Sequence, residues 1–121
     1  MTAISSDASA FLWDACYAAE KIVRFTSGLT LDDYLAGDMV RAAVERQFEI
    51  IGEALGGLRR AYPELAAEIP NLPQIVAFRN VLMHGYATVN NRLVWAFAEN
   101  ELPGLRATLS WMLANDDSQP K

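Results

Sequence analysis

The sequence predicts an all-α protein, an antiparallel bundle of four main helices with short helical turns between them, and three observations predict it. Apolar residues recur at three- and four-residue spacing through four long stretches, the period of a helix with one buried face. No segment shows the period-two alternation between turn residues that marks a half-buried strand. The 121 residues are 52% hydrophobic and 21% charged, which suits one well-packed core and is too apolar for a disordered chain.

The first helix is expected from Asp7 to about Thr26, with Phe11, Leu12, Ala15, Ala19, Ile22 and Val23 on its apolar stripe. Gly28 suits the left-handed residue that closes it. "TLDDYLAGD" reads as a short helical turn capped by Thr30, and Asp38 is placed to cap the next helix. That second main helix carries Val40, Val44, Ile51, Leu55 and Leu58 from Met39 to about Tyr62, where Pro63 stops it. Gly52, Gly56 and Gly57 in it point to close helix approach or to fraying. "YPELAAEIPNLP" holds three prolines in twelve residues, which allows one helical turn at most. Pro73 starts the third helix, which runs through Phe78 to His84, with Gly85 ending it. The fourth begins near Asn90 and Asn91 and carries Val94, Phe97, Leu102, Leu105, Leu109 and Met112, with a kink or restart at Pro103. Residues 1–113 form one domain in this reading, and 114–121 a polar tail with no reason to pack.

Composition removes several classes of function. A net charge of −5 argues against a protein that coats nucleic acid, because non-specific affinity comes from neutralising phosphates. Cys16 is the only cysteine and His84 the only histidine, so neither an intrachain disulfide nor a zinc cluster can be assembled. A di-iron bundle needs paired Glu-x-x-His motifs, and the residue three before His84 is Val81. "GEALGG" lies within a helical stretch and lacks the Lys-Ser/Thr of a phosphate loop. There is no Gly-x-Ser-x-Gly elbow, no basic-then-apolar leader and no run approaching ~18 apolar residues. A cytoplasmic location is expected, with no membrane partner, no metal and no cofactor.

The stretch that carries chemistry is "RNVLMHGY", Arg79 to Tyr86. On a helix, Asn80 and His84 share a face, whereas Arg79 lies ~140° from His84. The guanidinium and the imidazole therefore diverge on one chain, and a cleft shared by two chains would bring them together. Spacing alone also allows a histidine that merely caps a helix end and a solvated arginine.

Arg79, four residues, His84, one residue, Tyr86 is the Arg-x4-His-x-Tyr signature of the HEPN superfamily, and the surrounding chain resembles its HepT toxin branch. "RQFEIIGEALGGL", "YPEL" and "VWAFAENELPGL" resemble the family's helical framework in the expected order. The resemblance covers roughly Ala10 to Leu113, and Asn80 after the arginine also fits it. It implies a helical homodimer that cleaves RNA without metal and is encoded beside a minimal nucleotidyltransferase of MNT type that neutralises it. It further implies that Arg79 and His84 form the ribonuclease site, with Asn80 in support, and that Tyr86 is the residue the partner modifies with AMP. The substrate would be RNA and not DNA. The rival reading is a non-catalytic HEPN module that binds a nucleotide or a protein.

The residue types suit the implied chemistry. Metal-free RNA cleavage needs a base for the 2′-hydroxyl, an acid for the departing 5′-oxygen and positive charge for the phosphate. Histidine serves as either of the first two near neutrality, and arginine as the third. A two-fold dimer doubles one histidine and one arginine into a sufficient set. Arg46 and Arg92 are candidates for helping to hold RNA, and Glu49 and Glu53 for lining the cleft; solvated helix faces explain all four as well. Trp13, Trp95 and Trp111 are expected as core or interface anchors more than as base-stacking platforms.

Overall fold

The computed structural model describes residues 5–84 and 89–115, His84 by its backbone alone. α1 spans Ser6–Thr26. Ser5 caps it, its hydroxyl accepting from the Ala8 N–H at 3.1 Å, and Gly28 just beyond the end takes the left-handed φ of 77° that costs glycine nothing. α2 spans Leu31–Ala36 and opens on a reciprocal capping box. The Asp33 N–H donates to Thr30 Oγ1 at 3.1 Å and the Thr30 N–H to Asp33 Oδ2 at 3.0 Å.

α3 spans Asp38–Ala61. Its cap is Gly37 and not Asp38, as the sequence suggested: Asp38 is the first helical residue, and its carboxylate pairs with Arg41 one turn on. The negative charge still lies at the positive end of the helix dipole. The proline-rich connector holds the single turn α4, Pro63–Ala66. α5 spans Leu72–His84 and starts one residue before Pro73, because Asn71 turns the chain with a φ of 62°, a conformation asparagine tolerates. The predicted fourth helix is two, α6 at Asn91–Asn100 and α7 at Leu102–Ala114. Pro103 lacks an N–H and its ring crowds the carbonyl one turn back, so the chain breaks at Glu101 and restarts. Asn90 caps α6, accepting from the Leu93 N–H at 3.1 Å. No strand occurs among the described residues.

α3 is the central element, packed against α1 on one side and α5 on another, with α7 laid on α1 and α2 joining α3 to α6. Leu12, Ile22, Ile51, Leu55, Leu58, Leu109 and Met112 are fully buried between them. Phe11, near the start of α1, lies against Gly57, near the end of α3, so these two helices are antiparallel. Three rings tie α5 to its neighbours. Phe78 stacks on Phe97 of α6 with centroids 4.5 Å apart, and Phe48 of α3 meets both edge-on at 5.2 and 5.6 Å. They set the rotation of α5 about its own axis one residue before Arg79.

Tyr34 of α2 is fully buried, its ring 5.3 Å from that of Trp95, yet its hydroxyl has no hydrogen-bond partner among the described residues. Burial first, and then the nearby Glu45 carboxylate, push its phenol up to about 12, against a smaller opposing pull from Arg41. Because the native state holds this proton more tightly than the unfolded chain, the stability tied to it is complete below about pH 10 and drains away as pH rises towards 12. An unpartnered buried hydroxyl costs about 1–3 kcal/mol. Tyr34→Phe is therefore expected to raise the unfolding free energy by about 1 kcal/mol in urea titrations at pH 7. It should also flatten the loss of stability above pH 10 relative to wild type.

Candidate functional site

α5 is built to hold one polar side chain against α3. The Arg79 stem crosses Gly52 so closely that a Cβ at position 52 would lie 2.1 Å from Arg79 Cβ and 2.5 Å from its Cγ. One turn further along α3, a Cβ on Gly56 would meet Val76 Cγ1 at an ordinary 3.9 Å. Advancing on α3 thus means going back on α5, and the two helices are antiparallel. Gly52 is buried and Arg79 half-buried. The guanidinium is partly committed: one Nη donates to Asn80 Oδ1 at 3.2 Å, and the buried Nε–H has no partner among the described residues. A charged donor held out of water without an acceptor is costly. It persists here because Phe78 and Gly52 fix the backbone and stem on either side of it.

The predicted site residues fall as follows. Arg79, Asn80 and the backbone of His84 all lie on α5, with His84 its last residue. At 100° per residue, position 84 sits ~140° round the helix from Arg79, on the arc that carries Ala77, Asn80 and Val81, all of them exposed. By the helical repeat, position 84 thus lies on a different arc of α5 from Arg79, whose stem faces α3. Tyr86 and Gly85 lie outside the described residues. Arg46 and Arg92 are exposed on α3 and α6, Glu53 is exposed, and Glu49, one turn before Gly52, is half-buried.

Two residues escaped the reading of the sequence. Gly52 was visible only as one of three glycines in a helix, and nothing in the chain paired it with Arg79. Glu45 lies one turn before Glu49, and burial, then the Glu49 carboxylate, push its carboxyl above the ordinary range, with Arg41 opposing. The i,i+4 spacing of two glutamates was the available signal. The tryptophans divide: Trp95 is half-buried on Tyr34, whereas Trp13 and Trp111 are 54% and 56% exposed and are not core. Among the described residues no three His, Cys, Asp or Glu side chains are grouped to hold a metal, and no helix is long and apolar enough to cross a membrane.

An all-α fold, with seven helices among the described residues, that sets an arginine and a histidine five residues apart on one short helix is the class of HEPN-like helical domains. Residues 16–112 match the family described as HepT-like, Ribonuclease HepT-like, and the chain belongs to that family. It is 31% identical over 102 residues to "Putative RNase MJ1380" of Methanocaldococcus jannaschii, covering 83% of this chain and 91% of that protein. It is 32% identical over 96 residues to "Probable ribonuclease HepT" of Thermococcus cleftensis, covering 79% and 86%. A third relative, "Putative RNase TTE0752" of Caldanaerobacter subterraneus, is 28% identical over 97 residues, covering 80% and 86%. No solved structure matches the chain significantly.

Proposed function

We propose that this chain is the ribonuclease toxin of a toxin–antitoxin pair, a metal-independent RNA endonuclease that works at the cleft of a homodimer and is silenced when a cognate nucleotidyltransferase attaches AMP to Tyr86. The observation that carries the reading is the state of Arg79. Its guanidinium is fixed at the stem, tied at one Nη and without a partner at Nε among the described residues, on the helix that also holds the chain's only histidine. In a ribonuclease family, a preorganised cation of that kind suits the charge that builds on phosphate oxygens in the transition state.

The reaction that fits is transesterification by the neighbouring hydroxyl. One histidine removes the 2′-hydroxyl proton, the 2′-oxygen attacks phosphorus, and the P–O5′ bond breaks as a second, protonated histidine delivers a proton to the leaving oxygen. Arg79 holds the non-bridging oxygens throughout. One chain has one histidine, so two copies of His84 are required, and dimerisation belongs to the mechanism. Support comes from the uncovered arc of α5, where Val81 is 58% exposed beside position 84. A second copy seated there covers an apolar residue and brings the two helices to one cleft.

A purified chain is expected to cut single-stranded RNA as a dimer and to keep cutting in excess chelator, since the proposed acid, base and clamp are His84 and Arg79 alone. Loss of activity on chelation would overturn the metal-free route. Binding should weaken with salt, because releasing counterions from the phosphates gains less free energy as the salt concentration rises, the more so because a dimer of chains at −5 each captures RNA only through its local cations.

A further inference from the structure

We infer that Gly52 is a positioning residue for Arg79: the missing side chain on α3 is what lets the arginine lie in the α3–α5 contact with its Nε–H buried. The inference rests on the proposed role of Arg79 for its functional meaning, but the geometry stands by itself. A Cβ at position 52 would approach Arg79 Cβ to 2.1 Å and Cγ to 2.5 Å, far inside any van der Waals contact. What it would strike is the root of the side chain. Rotamer changes cannot move Arg79 Cβ, so α5 itself would have to shift or turn.

Gly56 supplies the internal comparison. It lies between the same two helices one turn away, and a Cβ there would meet only the Arg60 guanidinium at 3.5 Å and Val76 Cγ1 at 3.9 Å. General closeness of α3 and α5 would make both glycines matter equally, whereas the structure concentrates the requirement at Arg79. The neighbours explain why the shift has nowhere to go. Phe78, the preceding residue on α5, stacks on Phe97 of α6 and meets Phe48 of α3 edge-on, so this ring cluster holds α5 in place at the residue before Arg79 while Gly52 permits its close approach to α3. The product of these two constraints is a guanidinium whose position is set by backbone packing, with Asn80 holding one Nη at 3.2 Å. An arginine so placed loses little freedom when it meets phosphate.

The test reads the arginine directly and needs no substrate. In ¹⁵N-labelled full-length protein, the Arg79 Nε–Hε resonance, assigned by its loss in Arg79→Lys, is expected to be resolved from those of exposed arginines and to exchange with water at least tenfold more slowly. Gly52→Ala should shift it and raise its exchange rate to that of the exposed arginines, while Gly56→Ala leaves it unchanged. RNA cleavage by the same proteins should fall at least 30-fold in Gly52→Ala and stay within twofold of wild type in Gly56→Ala. A fast-exchanging Arg79 Hε in the wild-type protein overturns the inference whether or not either variant folds. So does an unchanged resonance in Gly52→Ala, or equal loss of protection in Gly56→Ala. If the resonance behaves as expected while Arg79→Ala still cleaves RNA at the wild-type rate, the positioning holds and the catalytic reading of Arg79 fails.

Discussion

Replacing His84 by alanine is expected to lower RNA cleavage by about 10²–10⁴-fold, the usual contribution of a positioned acid or base, while the protein stays folded and dimeric. His84 is the last described residue of α5. The buried side chains that α5 gives to the core, Leu72, Ile75, Val76 and Phe78, all precede Arg79. The effect should be confined to catalysis. Arg79→Ala should cost about 10²–10³-fold, as does removing one preorganised donor from a developing oxyanion. Arg79→Lys should recover only part of that, because an ammonium is a point charge and lacks the planar fork that holds two phosphate oxygens. Mixing the two inactive alanine variants gives a further reading. If each cleft needs two histidines, heterodimers of His84→Ala with Arg79→Ala remain slow; recovery to near half of wild type would mean that one histidine and one arginine suffice. Melting curves taken beside the rate assays separate catalysis from folding, and loss of the folded dimer in His84→Ala would favour a histidine that only caps its helix.

Tyr86→Phe is expected to have the opposite character, leaving cleavage near wild type and abolishing control. A phenol with a pKa of ~10 is almost wholly protonated at neutrality and is a poor nucleophile until an enzyme activates it. In the proposed control a partner nucleotidyltransferase would supply that activation: the tyrosyl oxygen would attack the α-phosphorus of ATP, pyrophosphate would leave, and the phenolic proton would pass to the partner's base. The new phosphodiester would carry a negative charge two residues in sequence from His84, and in the proposed control that charge repels incoming RNA. Incubated with the partner and ATP, the wild-type chain should gain the mass of AMP and lose activity, whereas Tyr86→Phe should gain neither the mass nor the inhibition. In cells the variant should stay toxic beside its partner. Complete neutralisation of Tyr86→Phe would show that binding alone, or another residue, exerts the control.

Local signals in the chain carry much of this picture. Helix limits were legible where a side chain or ring acts on its own backbone: the Thr30 cap, the glycine at 28, the stop at Pro63 and the restart at Pro103 each follow from sterics or hydrogen bonds spanning at most one turn. The helix starts that moved, Ser6 for Asp7, Gly37 for Asp38 as the cap and Leu72 for Pro73, differ by one residue each, because neighbouring positions at a helix start compete on nearly equal terms. The motif was legible too, since Arg79, Asn80 and His84 are one helix apart from nothing but themselves. Their angular divergence needs only the helical repeat.

The sequence by itself determined the all-helical class, the order of the elements and the arc separating Arg79 from position 84, all of them consequences of a 3.6-residue period. Only the tertiary structure decided which of three glycines faces Arg79, that the Arg79 Nε–H is buried without a partner among the described residues, that Tyr34 is sealed beneath Trp95, and that Trp13 and Trp111 stand in solvent. Each of these depends on how two helices distant in sequence rotate and slide against one another. That choice is made by the interlocking of whole faces, such as Phe48 with Phe78 and Phe97, and the free-energy differences that select it are spread over many contacts no single residue type announces.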